Sequence, residues 1–140
     1  MKAFKILNAT EDHVREVWEM IQELNQRSID FTSFKTNYRA NLSNHEVVYL
    51  VAQLDEVVIG FLSIHKSLPL HHNEIVAEIQ ELIVKDGYRG QGIGKKMLEA
   101  CLSLVKESNI QQIEASCNKK RTQARHFYDS LGFKVRIYDS

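Results

Sequence analysis

Three groups of residues in this sequence have the types and spacing that chemistry requires. The first is Arg89-Gly90-Gln91-Gly92-Ile93-Gly94, followed by Lys95 and Lys96. Glycines let the backbone come close to a ligand, and the unpaired N–H groups at a helix start favour an anion. The lysines add positive charge, although glycines at this density also suit a plain structural turn. The second group is Glu78, Glu81 and the phenol of Tyr128, all able to hold or move a proton. The third is His65, His71 and His72, imidazoles that can donate a hydrogen bond or bind a metal ion.

Spacing decides between kinds of anion loop. A nucleotide P-loop needs Gly, four residues, then Gly-Lys-Ser/Thr; here Gly94-Lys95 is followed by Lys96, and the position five before Gly94 is Arg89. A dinucleotide fingerprint belongs to an opening βαβ unit with an acidic residue about 20 positions later. This loop instead comes late, after four expected strands. Neither pattern fits.

The elements that must position these groups can be read from hydrophobic period. Phe4–Leu7 suggests a first strand, with Thr10 as a helix cap before Val14, Val17, Trp18, Ile21 and Leu24 on one helical face. A shorter helix carries Phe34, Tyr38 and Leu42. Val47–Gln53 and Val57–Ser67 are rich in β-branched residues and flank Leu54-Asp55-Glu56, the pattern of a hairpin. Strands are expected at Ile75–Val84, Ile113–Cys117 and Phe133–Tyr138, with helices at Gly92–Ser108 and Gln123–Ser130. The order is β-α-α-β-β-β-α-β-α-β, which implies a mixed sheet with helices on both faces.

Bulk properties narrow the setting. The chain has 140 residues, 44% of them hydrophobic and 26% charged, with a single proline, consistent with one domain over residues 1–140. Net charge is zero and no basic stripe is present, which argues against nucleic acid as a partner. No stretch has the length of a membrane span or the form of a leader, so a cytoplasmic protein without a membrane partner is expected. Cys101 falls on an apolar helical repeat and reads as a small buried hydrophobe.

The spacing Arg-x-x-Gly-x-Gly, after a strand and opening a helix, resembles the coenzyme A loop of the GNAT superfamily of N-acetyltransferases. Ala124-Arg125-His126-Phe127-Tyr128-Asp129-Ser130-Leu131-Gly132-Phe133 is similar to that family's second signature. The resemblance covers nearly the whole chain. It implies an α/β (α+β) fold with a mixed central sheet of six to seven strands flanked by about four helices. It also implies that Arg89, Gly90, Gln91, Gly92, Ile93, Gly94 and Lys95 hold the pyrophosphate of acetyl-CoA. The backbone of Leu82, Ile83 and Val84 would receive the pantetheine arm as an added strand, with Asn118, Ala124, Phe127 and Tyr128 completing the cosubstrate site.

Acetyl transfer needs a neutral amine, and an amine of pKa near 10.4 is only ~0.1% neutral at pH 7, so deprotonation costs roughly 4–5 kcal/mol. Glu78 and Glu81 are the candidate bases. On a regular strand they point to opposite faces, and Glu78 matches the family's base position. Tyr128 matches the position of the acid that protonates the leaving thiolate; it also suits packing beside Phe127.

Within the superfamily, Ile64-His65, Leu70-His71-His72 and Glu78–Leu82 resemble the aminoalkylphosphonate N-acetyltransferases, as do Phe34, Asn41-Leu42, Tyr49 and the wide gap from Asn118 to Ala124. That resemblance implies a small-molecule amine substrate met by Tyr38, His65, His71, His72 and Glu78. It also implies a divalent metal in some members, for which His71 and His72 are the candidates. A phosphonate dianion calls for cations, and Lys66, Arg39 or Arg125 could add to the histidines. Acetylation of an aminoglycoside, a polyamine or a protein N-terminus is the alternative reaction, and a non-catalytic acetyl-CoA sensor the alternative class. Exposed sheet edges would permit a homodimer. Tyr128→Phe is expected to lower turnover while leaving acetyl-CoA affinity largely intact; unchanged turnover would remove Tyr128 from the acid role.

Overall fold

Strand pairing and helix caps account for the architecture in the computed structural model, which describes residues 3–68, 70, 75–107, 112–118, 126, 129–130 and 134–138. Strand β1 (Lys5–Asn8) leads into a short 3-10 turn at Glu11–His13 and then helices α1 (Val14–Asn25) and α2 (Phe31–Leu42). Strands β2 (Val47–Leu54), β3 (Val57–Ser67) and β4 (Val76–Val84) follow, then helix α3 (Ile93–Glu107) and strands β5 (Gln112–Asn118) and β6 (Lys134–Tyr138). The six strands form one sheet in chain order, antiparallel from β1 to β4 and parallel from β4 to β6. This is the mixed sheet and element order expected from the sequence. The expected helix at 123–130 lies largely outside the described residues; within it, His126, Asp129 and Ser130 are helical. Among the described residues no helix is long and apolar enough to cross a membrane.

Local chemistry sets the element ends. Thr10 caps the first turn, its hydroxyl accepting from the Asp12 N–H at 3.3 Å while His13 Nδ1 accepts from the Thr10 N–H at 3.0 Å. Asp30 caps α2 by accepting from the Ser33 N–H at 2.9 Å, and that bond holds its carboxyl below the usual value. The β2–β3 hairpin turns at Asp55 and Glu56, both at positive φ (49° and 69°), the handedness a two-residue hairpin needs.

The sheet is packed on both faces. One face buries Leu50, Ala52, Ile59, Leu62, Ile64, Ala77 and Ile79 against Ile93, Met97, Leu98, Cys101 and Val105 of α3. Helix α3 sits close: a Cβ on Gly60 would lie 2.8 Å from Met97 Sδ and 3.2 Å from Ala52 Cβ. Cys101 is fully buried there, and burial pushes its thiol up to about 12, in keeping with its reading as a small hydrophobe. The other face buries Val51, Val58, Phe61 and Ile83 against Val17, Met20, Ile21 and Tyr38 of α1 and α2.

Two bulges interrupt the antiparallel register. Ile59 is skipped between the pairs Ala52–Gly60 and Gln53–Val58, and Gln80 between Ser63–Glu81 and Ile64–Ile79. The second corrects the expectation that Glu78 and Glu81 point to opposite faces. Glu81 pairs with Ser63 and Glu78 with His65, two residues apart on β3 and therefore on one face. The extra residue at Gln80 restores the phase that an odd separation would have broken.

Candidate active site

The bulge at Gln80 also ends the pairing of β4 with β5. Parallel pairing runs from Val76–Gln112 to Ile79–Ala115 and stops there, while β5 continues with β6 to Asn118–Tyr138. Among the described residues, β4 past Gln80 is therefore paired on its β3 side only. The Lys85 N–H donates to the Ile59 carbonyl at 2.8 Å, so by alternation Ile83 also faces β3. Leu82 and Val84 then turn their N–H and C=O groups to the open side. The Val84 carbonyl accepts there from Arg89 Nε at 3.0 Å.

At the end of β4 the chain enters the glycine loop. Gly87, Gly90 and Gly92 have φ of 91°, 77° and 82°, and a Cβ added at any of them would meet nothing within 4 Å. Backbone handedness, not crowding within the chain, selects glycine at these positions. Ile93 is buried and pins the loop to the core, while Gln91 and Lys95 are exposed and Gly94 lies in the first turn of α3. The first amides of α3 emerge beside the open edge of β4, where a helix start favours an anion. Lys96 is exposed and ion-paired with Glu99 at 3.8 Å. The Arg89 guanidinium turns back to Val84 and stands 3.7 Å from Glu23, so it braces the loop on its β4 side.

The face toward α2 carries the polar residues in two rows across the sheet. Tyr49, Ser63 and Glu81 form one row; Val47, His65, Glu78 and Glu114 form the next. Ser63 is fully buried, donates to the Glu81 carboxylate and accepts from the Glu81 N–H at 3.0 Å. Glu78 accepts from the bulged Gln80 side chain at 2.9 Å, and the buried Glu114 accepts from Gln112 Nε2 at 3.0 Å. The Tyr49 ring packs between Tyr38 and Phe61, each 5.3 Å away, with the His65 ring at 6.5 Å. Asn41 Nδ2 donates to its hydroxyl at 2.6 Å. Burial first, and then the Glu81 carboxylate, push the Tyr49 phenol above its ordinary pKa, against the opposing effect of Asn41.

The residues singled out from the sequence thus divide. Leu82, Ile83, Val84 and the glycine loop line one end of the opening, and Glu78, Glu81 and His65 share one face. Tyr38 does not offer its hydroxyl: the ring is buried and the hydroxyl donates to the Thr10 carbonyl at 2.8 Å, with burial raising its pKa. Arg39 is ion-paired with Glu11, and Lys66 falls between His65 and Ser67 in register, on the face opposite His65. Tyr128, Phe127, Ala124, Arg125, His71 and His72 lie outside the described residues, as does the side chain of Asn118. Among the described residues no group of three or more His, Cys, Asp or Glu is placed to hold a metal ion. Ser63 and Glu114 were missed; the available signal was a polar residue flanked by apolar ones, Ser63 between Leu62 and Ile64 and Glu114 between Ile113 and Ala115.

An open strand edge meeting a glycine-rich helix start defines the class of protein. The chain belongs to the acetyltransferase (GNAT) family, whose pattern matches residues 11–133. Over 134 residues it is 33% identical to the aminoalkylphosphonate N-acetyltransferase of Salmonella typhimurium, covering 96% of this chain and 87% of that one. An uncharacterized N-acetyltransferase of Archaeoglobus fulgidus is 31% identical over 97 residues, 69% of this chain and 66% of that one. Among solved structures, a transcriptional regulator from Bacillus halodurans superposes with a TM-score of 0.86 at 23% identity, covering 94% and 93% of the two chains. An aminoglycoside N-acetyltransferase in complex with CoA superposes with a TM-score of 0.83 at 15% identity, covering 99% and 95%. At those identities the structural likeness speaks for the fold alone. The chain is an N-acetyltransferase of the GNAT type, and enzymes of that type take their acetyl group from acetyl-CoA.

Gly92→Ala tests the loop. An L-residue at this φ is strained by roughly 1–2 kcal/mol; the free loop relieves that strain by leaving this conformation and CoA binding must restore it, so affinity measured by calorimetry is expected to fall about five- to thirtyfold. Unchanged affinity would show that the loop conformation does not contribute to cosubstrate binding.

Proposed function

We propose that this enzyme transfers the acetyl group of acetyl-CoA directly to the primary amine of a small acidic molecule, in the first instance an aminoalkylphosphonate. The observation that carries the reaction is the bulge at Gln80, where the open edge of β4 and the polar face begin together. A thioester delivered along Leu82–Val84 would end beside Glu78 and Glu81. Support for the acidic amine comes from the Salmonella relative, at 33% identity over 96% of this chain.

In this reading the loop amides of residues 90–95 hold the pyrophosphate and the Leu82 and Val84 backbone groups align the pantetheine arm. Glu78 takes a proton from the bound ammonium, offsetting the roughly 4–5 kcal/mol that deprotonation of a free amine costs at pH 7. The amine lone pair forms the C–N bond, the C–S bond breaks and the departing thiolate takes a proton from Tyr128, whose phenol is restored by the second proton that the nitrogen gives up on becoming an amide. Glu81, anchored by Ser63, stays beside the ammonium and favours its approach.

A second reading has its own support. Glu78, Glu81 and Glu114 stand in adjoining rows of one face, an arrangement that favours a cationic acceptor such as a polyamine or an aminoglycoside. A panel of amines with acetyl-CoA, followed by thiol release with and without chelator, separates the two. The expected result is the highest kcat/KM on 2-aminoethylphosphonate. Release only with spermidine or an aminoglycoside would overturn the acidic-amine reading and leave the transfer reaction standing.

A further inference from the structure

Tyr49 has a donor that the described residues do not use. Its hydroxyl accepts from Asn41 Nδ2 at 2.6 Å, and a phenol has one hydrogen of its own to give. Among the described residues no acceptor is bonded to that hydrogen, although the side chain is half-buried. Three rings, Tyr38, Phe61 and His65, fix the plane of Tyr49, and Asn41 fixes the approach to its oxygen. A side chain held this firmly presents its remaining donor in a set direction.

The position of that donor suits one end of a short bifunctional amine. Tyr49 and Glu81 occupy the same row with Ser63 between them, two strand spacings or about 9.5 Å apart in the backbone. The carboxylate side of the row favours an ammonium group. The Tyr49 side offers an O–H donor, with the His65 imidazole as its neighbour in the next row. Burial and the Glu81 charge both act to keep the phenol protonated, so it can donate to an oxyanion but not remove a proton.

We propose that Tyr49, oriented by Asn41, reads the acid end of the amine substrate by donating its phenol hydrogen to an acid oxygen. The proposal rests on the acidic-amine reading above and adds to it the residue that selects the acid. Glu78 and Glu81 hold the nitrogen, and Tyr49 sets which nitrogen-bearing molecules fit.

The test compares wild type and Tyr49→Phe on 2-aminoethylphosphonate and on ethylamine, the same amine without its acid group. Phenylalanine keeps the ring packing and removes only the hydroxyl. Loss of a hydrogen bond to a charged oxygen is expected to raise KM for the phosphonate roughly tenfold to hundredfold. kcat on the phosphonate, KM for acetyl-CoA and kcat/KM on ethylamine should stay within about twofold of wild type, which also reports an intact fold. Wild-type preference for the phosphonate that survives in Tyr49→Phe would overturn the role of Tyr49 alone. Absence of that preference in wild type would overturn both the role and the acidic-amine reading.

Discussion

One extra residue in β4 governs the geometry on which the rest depends. A regular strand would send Glu78 and Glu81 to opposite faces and keep β4 hydrogen-bonded to β5 along its length. With Gln80 bulged, both carboxylates face α2, and β4 turns away from β5 at the same point. The bulged side chain then donates to Glu78, so the distortion and the placement of the base candidate are a single local event. Beyond it, the unpaired edge leads within a few residues to the glycine loop. A single irregularity therefore couples the edge proposed to receive the cosubstrate to the carboxylates proposed to remove the proton.

The two faces of the sheet divide the remaining work. Against α3 the contacts are apolar and close, as the space around Gly60 shows, and they fix the helix whose first turn follows the loop. Against α1 and α2 the core is apolar under Val51, Val58, Phe61 and Ile83, and gives way to the polar rows. Buried polar groups are costly unless bonded, and here the bonds are supplied locally: Ser63 with Glu81, Asn41 with Tyr49, Tyr38 with Thr10. Such a network holds side chains in place before any ligand arrives. That preorganisation is what acetyl transfer between two small groups needs.

Much of this was legible in the sequence, and the exceptions have a physical pattern. Hydrophobic period and turn chemistry located the six strands and helices α1 and α3 within a residue or two, because each element buries one continuous face. The loop at Arg89–Gly94 was legible because positive φ has a cheap solution only in glycine. The bulge was not, since Gln80 carries no local signal and its displacement follows from pairing with β3. Tyr38 and Tyr49 were hard to rank for the same reason: each is an aromatic on an apolar face, and only tertiary contacts show that Tyr38 spends its hydroxyl on Thr10 while Tyr49 keeps a donor. Arg39 and Lys66 looked available as cations until the fold paired one with Glu11 and turned the other to the far face.

If the bulge sets the site, the acetyl carrier adds to the open edge of β4 beyond Gln80. Amide hydrogen exchange, read residue by residue with and without CoA, measures this directly. The Leu82 and Val84 amides, which face the open side, should exchange more slowly once CoA is bound, while the Glu81 and Ile83 amides, already facing β3, change little. Equal protection of all four amides, or none at Leu82 and Val84, would contradict the account.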